Sequence, residues 1–378
     1  MGPLSGIKVI EMKGIGPGPY AGMLLADMGA DVIVVEKSSQ FSGLGIPAAS
    51  DVHSRGKRSI ALDLKDPHGL KALLKLVETA DVLFEGFRPG VAERVGFGPE
   101  ECHAINPGLV YGRLTGWGQN GPLAKTAGHD INYISITGVL AAIGDKDKPV
   151  PPLNLVGDYA GGSLFLVVGI LAALIEARRS GKGQVVDAAI TDGTASLMSF
   201  FYGLQKLGLW STNRRANLLD GAAYYYDVYE TADGKHVSVG PLEPQFYALF
   251  VEKAGLDPEV FGQQAGPRDW PRLKEQLAAA IKQKTQQEWC ALLEGSDACF
   301  APVLDLMEAP RHRHNRKRGT YIKIDGLEQP APAPRFSRTA GDVPDSPHAE
   351  GADTDSVLRD AGFSDEEVAE LRASGVLT

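Results

Sequence analysis

Three titratable side chains stand beside predicted elements, where they could exchange protons with a ligand. His129 lies in the segment GHDINY, between a polar loop and an apolar stretch over 131–143. An imidazole titrates near neutral pH, although a lone histidine is more often structural than catalytic. Asp158 in GDYAGG directly precedes a long predicted helix and Glu243 in PLEPQF precedes another, so helix capping is the ordinary interpretation of both. The residues alone leave acid–base chemistry and simple structural roles open.

Basic side chains recur at or near the ends of the predicted strands in the first half of the chain. A phosphate-bearing ligand requires such cations, together with backbone N–H groups that converge on it. A scatter of solvated surface charges is the ordinary alternative. Their recurrence at equivalent places leaves the two interpretations balanced. The residues concerned are Lys37, Arg55, Lys57, Arg58, Arg88 and Arg94.

A glycine-rich turn, GIGPG over 14–18, follows the first predicted strand. A dinucleotide-binding turn has the spacing G-x-G-x-x-G, whereas this turn has the spacing G-x-G-x-G. Pro17 and Pro19 also lack the amide donors that would cradle a pyrophosphate. Glu36 follows the second strand as a ribose-binding acid would, but the turn before it has the wrong spacing. The pattern therefore disfavours a nicotinamide cofactor.

Composition excludes several classes of protein. The 378 residues include 38 Lys or Arg and 47 Asp or Glu, for a formal net charge of −9, which argues against a surface built for nucleic acid. Three cysteines without a C-x-x-C pair argue against a disulfide framework or a cysteine zinc site, and with no secretory signal visible we expect a cytoplasmic protein. The longest apolar run, 164–175, is shorter than the roughly 20 residues that span a bilayer, so it predicts a buried core helix.

Strand-like and helix-like segments alternate in the first half, which predicts a parallel sheet covered by helices. Ligands of such sheets bind outside the carboxyl ends of the strands. The predicted strands cover 7–11, 32–35, 82–84, 109–113 and 184–189, and the predicted helices cover 19–28, 66–79, 159–179 and 192–207.

The pattern changes in the second half of the chain. A hairpin signal, Asp233-Gly234, separates strand-like segments over 224–230 and 236–240. Helical segments over 245–254, 270–283 and 286–294 follow, which predicts a smaller α+β domain. The basic run RHRHNRKR over 311–318 and PAPAP over 330–334 mark linkers. Near the C-terminus, Ser364 and Glu367 fit the capping box of a final helix.

Long segments in a fixed order extend from the first strand to about Thr339. They include GIGPGPYAGMLLADMGADVIVVEK, ADVLFEGFRPGVAERVGFGPEE, AGHDINYISITGVL and PPLNLVGDYAGGSLFLVVGILAAL, and later DGAAYYYDVYETADGK and VGPLEPQFYA. In order and spacing they closely resemble α-methylacyl-CoA racemases of the class III CoA-transferase superfamily. The resemblance implies an α/β fold with a Rossmann-like parallel-sheet large domain, a smaller α+β domain and an interlocked homodimer. We place the large domain at 1–190 and 329–378, a linker helix at 191–223, the small domain at 224–310 and a second linker at 311–328.

The resemblance also implies roles for particular residues. It makes His129 and Asp158 an acid–base pair, and Glu243 of the other subunit an acidic partner that orients or charges the histidine. CoA is part of the substrate, and no separate cofactor or metal is implied. Relatives carry arginine in place of Lys37, and the loop 52–58 matches less closely. The expected CoA contacts are Lys37, Leu62, Asp63, Leu64, Lys65, Gly86, Phe87, Arg88, Pro89, Gly90, Arg94, Gly128, Asp130, Ile131, Asn132 and Tyr133.

The implied reaction interconverts (2R)- and (2S)-2-methylacyl-CoA thioesters through an enolate. We expect His129 to act on the face presented by the S isomer and Asp158 on the face presented by the R isomer. Burial must then raise the pKa of Asp158, and free amides at the start of the 159–179 helix are candidate donors to the enolate. Two alternatives are a class III CoA-transferase with Asp158 as nucleophile and a non-catalytic acyl-CoA-binding protein. The glycine run followed by glutamine that is typical of such transferases is missing from 240–245.

Overall fold

The computed structural model describes residues 2–36 and 50–377, and a parallel sheet of six strands forms its largest element. The strands are β1 (Lys8–Met12), β2 (Asp31–Glu36), β3 (Arg58–Ala61), β4 (Val82–Glu85), β5 (Val110–Thr115) and β6 (Val185–Ala189). Their spatial order is β3-β2-β1-β4-β5-β6, with every neighbouring pair parallel. This is the doubly wound order of a Rossmann fold, in which the crevice for a ligand opens where the order reverses, between β1 and β4.

Helices cover both faces of the sheet, because successive strand residues point to opposite faces. Val9 and Val32 face a core formed with α1 (Pro17–Asp27) and α7 (Leu164–Ser180). Ile10 and Ile33 face a second core, formed with α2 (Pro67–Val77) and α4 (Pro99–Ile105). The α/β prediction is therefore confirmed. The other helices around this sheet are α3 (Val91–Val95), α5 (Asp130–Ser135), α8 (Ile190–Leu197), α15 (Thr354–Asp360) and α16 (Asp365–Ala373).

The C-terminal tail, which follows the segments that resemble the family, belongs to the core of the sheet. Val357, Leu371 and Val376 are buried in the same cluster as Ile10. The predicted capping box is present, because the Ser364 side chain accepts from the backbone N–H of Glu367. The tail thus covers apolar surface that the first half of the chain leaves exposed.

The chain divides into two compact units, one of residues 1–137, 152–197 and 321–378 and the other of residues 138–151 and 198–320. The predicted linker over 191–223 is divided between them. The single helix predicted over 192–207 is two helices, α8 and α9 (Ser199–Lys206), which meet at this boundary. The basic segment predicted as a linker contains a short helix, α14 (Arg313–Arg318).

The second unit contains a three-stranded antiparallel sheet, with the hairpin predicted at Asp233-Gly234 joining its first two strands. Tyr224, Phe250 and Trp289 lie in its apolar core. Its elements are α6 (Val139–Ala142), β7 (Asp227–Glu230), β8 (His236–Val239), α10 (Pro244–Ala254), α11 (Pro258–Phe261), α12 (Trp270–Ile281), α13 (Gln286–Leu293) and β9 (Phe300–Val303). A small hairpin, β10 (Tyr321–Ile324) with β11 (Leu327–Pro330), returns the chain to the first unit.

The helix predicted over 159–179 is longer than expected. A π-helical segment, Leu155–Ser163, continues directly into α7. The combined helix has 26 residues, and an 18-residue window within it has a mean hydropathy of 2.1, so by length and composition it could cross a membrane, as many core helices of soluble proteins could. Leu166 and Ile170 are buried against the sheet, while Val168 is 64% and Ile175 is 73% exposed. The prediction of a buried core helix therefore holds for one face of α7 only.

Candidate active site

The candidate site is a cavity of about 600 Å³ at the carboxyl ends of β1, β4 and β5. The pattern of the first half predicts a ligand site at the carboxyl ends of the strands, and the strand order reverses here, between β1 and β4. His129 and Asp158 both line it, so the fold brings together two side chains that are 29 positions apart in the sequence. Other predicted site residues that line it are Gly86, Phe87, Arg88, Pro89, Gly128 and Tyr133.

Glycines allow the loops around this cavity to approach one another closely. Gly16 has a φ of 73°, and a side-chain Cβ there would lie 3.2 Å from Oδ2 of Asp158. The ring of Tyr133 packs against Gly116 and Gly128, where a Cβ would lie 2.0 Å and 2.7 Å from ring carbons. The glycine-rich turn over 14–18 therefore brings the N-terminus of α1 to the Asp158 carboxylate.

Asp158 lies within the π-helical segment, not at the N-cap that the sequence indicated, so the capping interpretation is wrong. Asn154, four positions earlier, donates from Nδ2 to Oδ2 of Asp158 at 3.2 Å. Burial raises the pKa of Asp158 above its ordinary value, and this effect exceeds the opposing effects of Asn154 and His129. The carboxyl group therefore holds a proton more readily than a solvated aspartate does.

His129 stands at the start of α5, immediately after the cavity-lining Gly128. Its backbone N–H donates to Oδ1 of Asn132 at 3.0 Å, and its side chain is exposed. The imidazole is also close enough to Asp158 to lower the pKa of that carboxyl group. The two groups therefore share one cavity and interact through their charges.

The amides at the start of the Tyr159 helix, predicted as donors to an enolate, already have partners. The N–H of Asp158 donates to Oδ1 of Asp130 at 2.7 Å, and the N–H of Gly157 also donates to the Asp130 carboxylate. The N–H of Tyr159 donates to the carbonyl of Asn154. This expectation was wrong, because a π-helix and a buried carboxylate use these donors.

Arg55 and Lys57 in the loop before β3, and Arg58 at the start of β3, form ion pairs within the chain instead of an anion site. Arg55 makes a bidentate pair with Asp27 and donates to Gln329, and all three side chains are buried. Lys57 is buried against Glu11, 2.6 Å away. Arg58 pairs with Asp31 and Asp360. Carboxylates of the same chain neutralise these three charges, so the predicted anion site does not include them.

The other expected CoA contacts lie in several places. The side chain of Leu62 is 1% exposed and belongs to the apolar core, whereas Lys65 and Arg94 are exposed. Glu243 is exposed at the N-cap of α10 in the second unit, where its carboxylate makes no capping hydrogen bond. Lys37 lies outside the residues that the structure describes. The described residues that line the cavity do not include Leu62, Asp63, Leu64, Lys65, Gly90, Arg94, Asp130, Ile131 or Asn132.

Two polar residues that the sequence analysis did not single out support the site. Asn154, the N-cap of the π-helical segment, contacts the Asp158 carboxylate, and its position four residues before Asp158 was the signal for it in the sequence. Glu85, at the end of β4, is buried and accepts from the N–H of Phe87 at 2.5 Å. Across residues 2–36 and 50–377, no cluster of three or more His, Cys, Asp or Glu side chains could hold a metal ion.

Comparisons with known proteins agree with this architecture. The chain is 45% identical to the mouse protein named alpha-methylacyl-CoA racemase over 379 residues, with 99% of this chain and 97% of that protein covered. It is 42% identical to the human protein of the same name over 381 residues, with the same coverage. The crystal structure of a CAIB/BAIF family protein from Brucella suis matches with a TM-score of 0.82 and 25% identity, covering 95% of this chain and 99% of that one. The family model for CoA-transferase family III matches residues 4–354, and this chain is a member of that family.

Proposed function

We propose that this protein is a racemase that interconverts (2R)- and (2S)-2-methylacyl-CoA thioesters. The observation that carries the proposal is that His129 and Asp158 line the same cavity, at the ligand-binding edge of a Rossmann-like sheet. A racemase needs one proton-transfer group for each face of C2, and these are the two titratable groups that the resemblance assigns to that task. The mouse and human proteins of that name support the same substrate class.

The reaction is a proton exchange at C2 through an enolate. His129 takes the C2 proton of the S isomer, and the electron pair of the C–H bond moves onto the thioester oxygen. Asp158 then gives a proton to the opposite face, and the roles reverse for the R isomer. The raised pKa of Asp158 supports its role as an acid. The N-terminus of α1 lines the same cavity, and its partial positive charge would stabilise the oxygen on which negative charge develops.

We assign CoA binding to the loop after β4 and to nearby exposed cations. Gly86, Phe87, Arg88 and Pro89 line the cavity, and the Arg88 side chain is exposed. An exposed guanidinium suits a phosphate, because its planar fork donates two hydrogen bonds to the anion. Lys65 and Arg94 remain proposed contacts, as does Lys37.

We also propose a cytoplasmic homodimer in which Glu243 acts on the His129 of the partner subunit. Apolar side chains on α7 and α9 support an interface between copies of the chain. Val168 and Ile175 on α7 and Phe200 on α9 are mostly exposed, and exposed apolar groups of this size are typical of interaction surfaces. Glu243 is exposed at its helix terminus, where no capping bond uses its carboxylate.

A single experiment separates the candidate functions. A pure epimer of a 2-methylacyl-CoA is incubated with the protein in deuterium oxide, without an acid acceptor. Deuterium at C2 with loss of stereochemical purity supports the racemase. Transfer of CoA to an added free acid, with no exchange at C2, supports a transferase with Asp158 as nucleophile. Tight binding with neither reaction supports a non-catalytic acyl-CoA-binding protein.

A further inference from the structure

Asp130 is a buried carboxylate that no cation neutralises within the described part of the chain. It is 8% exposed, and its Oδ1 accepts the backbone N–H of Asp158 at 2.7 Å. The backbone N–H of Gly157 donates to the same carboxylate. Two amide donors can satisfy a buried carboxylate in place of a cation, since charge-assisted hydrogen bonds are the stronger kind.

Gly157 is the residue that makes this arrangement possible. A Cβ at position 157 would lie 2.1 Å from Oδ1 of Asp130, a distance that no side chain tolerates. The carboxylate therefore reaches these amides only because residue 157 has no side chain.

The bonds of Asp130 join the two segments that carry the proposed bases. Asp130 directly follows His129 in the sequence and is the first residue of α5. The amide that it accepts belongs to Asp158 itself. The backbones of His129 and Asp158 are thus connected through one peptide bond and one short hydrogen bond, which fixes the position of one base relative to the other.

We propose that Asp130 is a positioning residue that holds Asp158 on its side of the substrate relative to His129. This inference rests on the proposed racemase function and replaces the contact with CoA that the resemblance implied for Asp130. Small displacements of a reacting group are costly in rate, because proton transfer needs close and aligned partners. Loss of Asp130 should therefore impair Asp158 more than His129.

The test compares Asp130→Ala, Asp130→Asn and wild type, each with the S epimer in deuterium oxide. We expect Asp130→Ala to lower inversion at least about tenfold while His129 still exchanges the C2 proton on its own face. The ratio of deuterium in recovered S substrate to deuterium in R product should then rise at least about fivefold above wild type. Asp130→Asn should stay within about threefold of wild type, since its amide oxygen can still accept the two N–H groups.

Asp81→Ala is a matched control. Asp81 also accepts a backbone amide, that of Lys8 at 2.8 Å, but it lies at the amino ends of the strands, away from the cavity. Its loss should leave the exchange-to-inversion ratio unchanged. Equal loss of exchange and inversion in Asp130→Ala, or no loss of either, would overturn the proposal.

Hydrogen–deuterium exchange of the protein gives a readout that does not depend on activity. The peptide that contains Leu155–Ser163 should exchange its amide protons faster in Asp130→Ala than in wild type, and Asp130→Asn should restore the protection. If the amides of this peptide exchange no faster in Asp130→Ala than in wild type, Asp130 does not hold the segment, even if the enzyme racemises its substrate. A wild type that incorporates no deuterium at C2 would instead refute the proposed function, while the protein exchange data would still decide whether Asp130 holds this segment.

Discussion

The buried carboxylate of Glu85 accepts the backbone N–H of Phe87 at 2.5 Å, and it thereby shapes the loop that enters the candidate site. Arg113 lies 3.3 Å from the same carboxylate and also pairs with Glu93. Burial dominates over these favourable contacts and raises the pKa of Glu85 from 4.5 to about 7. The end of β4 therefore carries a carboxyl group that changes its charge near neutral pH.

Glu85→Gln should remove part of the pH dependence of stability. The pKa of Glu85 is higher in the folded chain than in the unfolded chain. Its contribution to folding stability is therefore complete below pH 4.5, the unfolded pKa, and is lost as the pH rises to about 7, the folded pKa. The full difference corresponds to about 3 kcal/mol. The melting temperature of Glu85→Gln relative to wild type should therefore be higher at pH 8 than at pH 5, as measured in parallel thermal scans. An equal difference at both pH values would show that Glu85 does not titrate in this range.

His129→Ala should abolish racemisation and leave the affinity for CoA nearly unchanged, because the imidazole is assigned to proton transfer and not to binding. We expect kcat to fall by about 10²–10⁴, with CoA affinity measured by calorimetry. A large loss of CoA affinity would assign His129 a binding role.

Asp158→Asn should also lose inversion at C2. Its melting temperature should be higher than that of wild type at pH 8, because a buried charge has been removed.

Lys57→Met and Arg88→Ala should separate a structural cation from a binding cation. Lys57 is buried against Glu11, so its removal leaves a buried carboxylate unpaired and should cost about 3–5 kcal/mol of folding stability. Arg88 is exposed and lines the cavity, so its removal should raise KM for the acyl-CoA about tenfold with little change in melting temperature. Thermal unfolding and steady-state kinetics are measured on both variants. If Lys57→Met instead raised KM with little change in melting temperature, and Arg88→Ala lowered the melting temperature, the anion site would lie at the loop before β3.

Mixed dimers should show whether Glu243 serves the partner subunit. His129→Ala and Glu243→Ala are each expected to be inactive, and co-expression with two different tags yields the mixed dimer. If the site is shared, one of the two sites in a mixed dimer has both residues intact. A population that assembles at random should then recover about a quarter of wild-type activity. Recovery of none would place Glu243 beside the His129 of its own chain or outside the reaction.

The type of fold and the two groups at the centre of the site could be predicted from residue patterns and from the family resemblance. The alternation of β-branched strands with amphipathic segments such as α2 follows from local periodicity, which does not depend on distant residues. Because parallel strands present their carboxyl ends at one edge, the alternation of strands and helices already predicted a ligand site at that edge. That the loops after β1, β4 and β5 meet there depends on the spatial order of the strands. The resemblance, which extends from the first strand to about Thr339, then singled out His129 and Asp158 among many titratable residues.

Which charged groups remain free, and where some helices begin, depends on contacts between distant parts of the chain. Arg55, Lys57 and Arg58 lie within four positions of one another, a spacing that surface cations could also have. Their partners are distant in the sequence: Asp27 in α1, Glu11 in β1 and Asp31 in β2. These carboxylates neutralise the cations only when the three elements pack beside them. A π-helix before α7 and the carboxylate of Asp130 likewise set the surroundings of Asp158. These ion pairs and hydrogen bonds join residues that are distant in the sequence. Burying an unpaired charge costs free energy only once the core has assembled, so local sequence patterns do not predict which charges become paired.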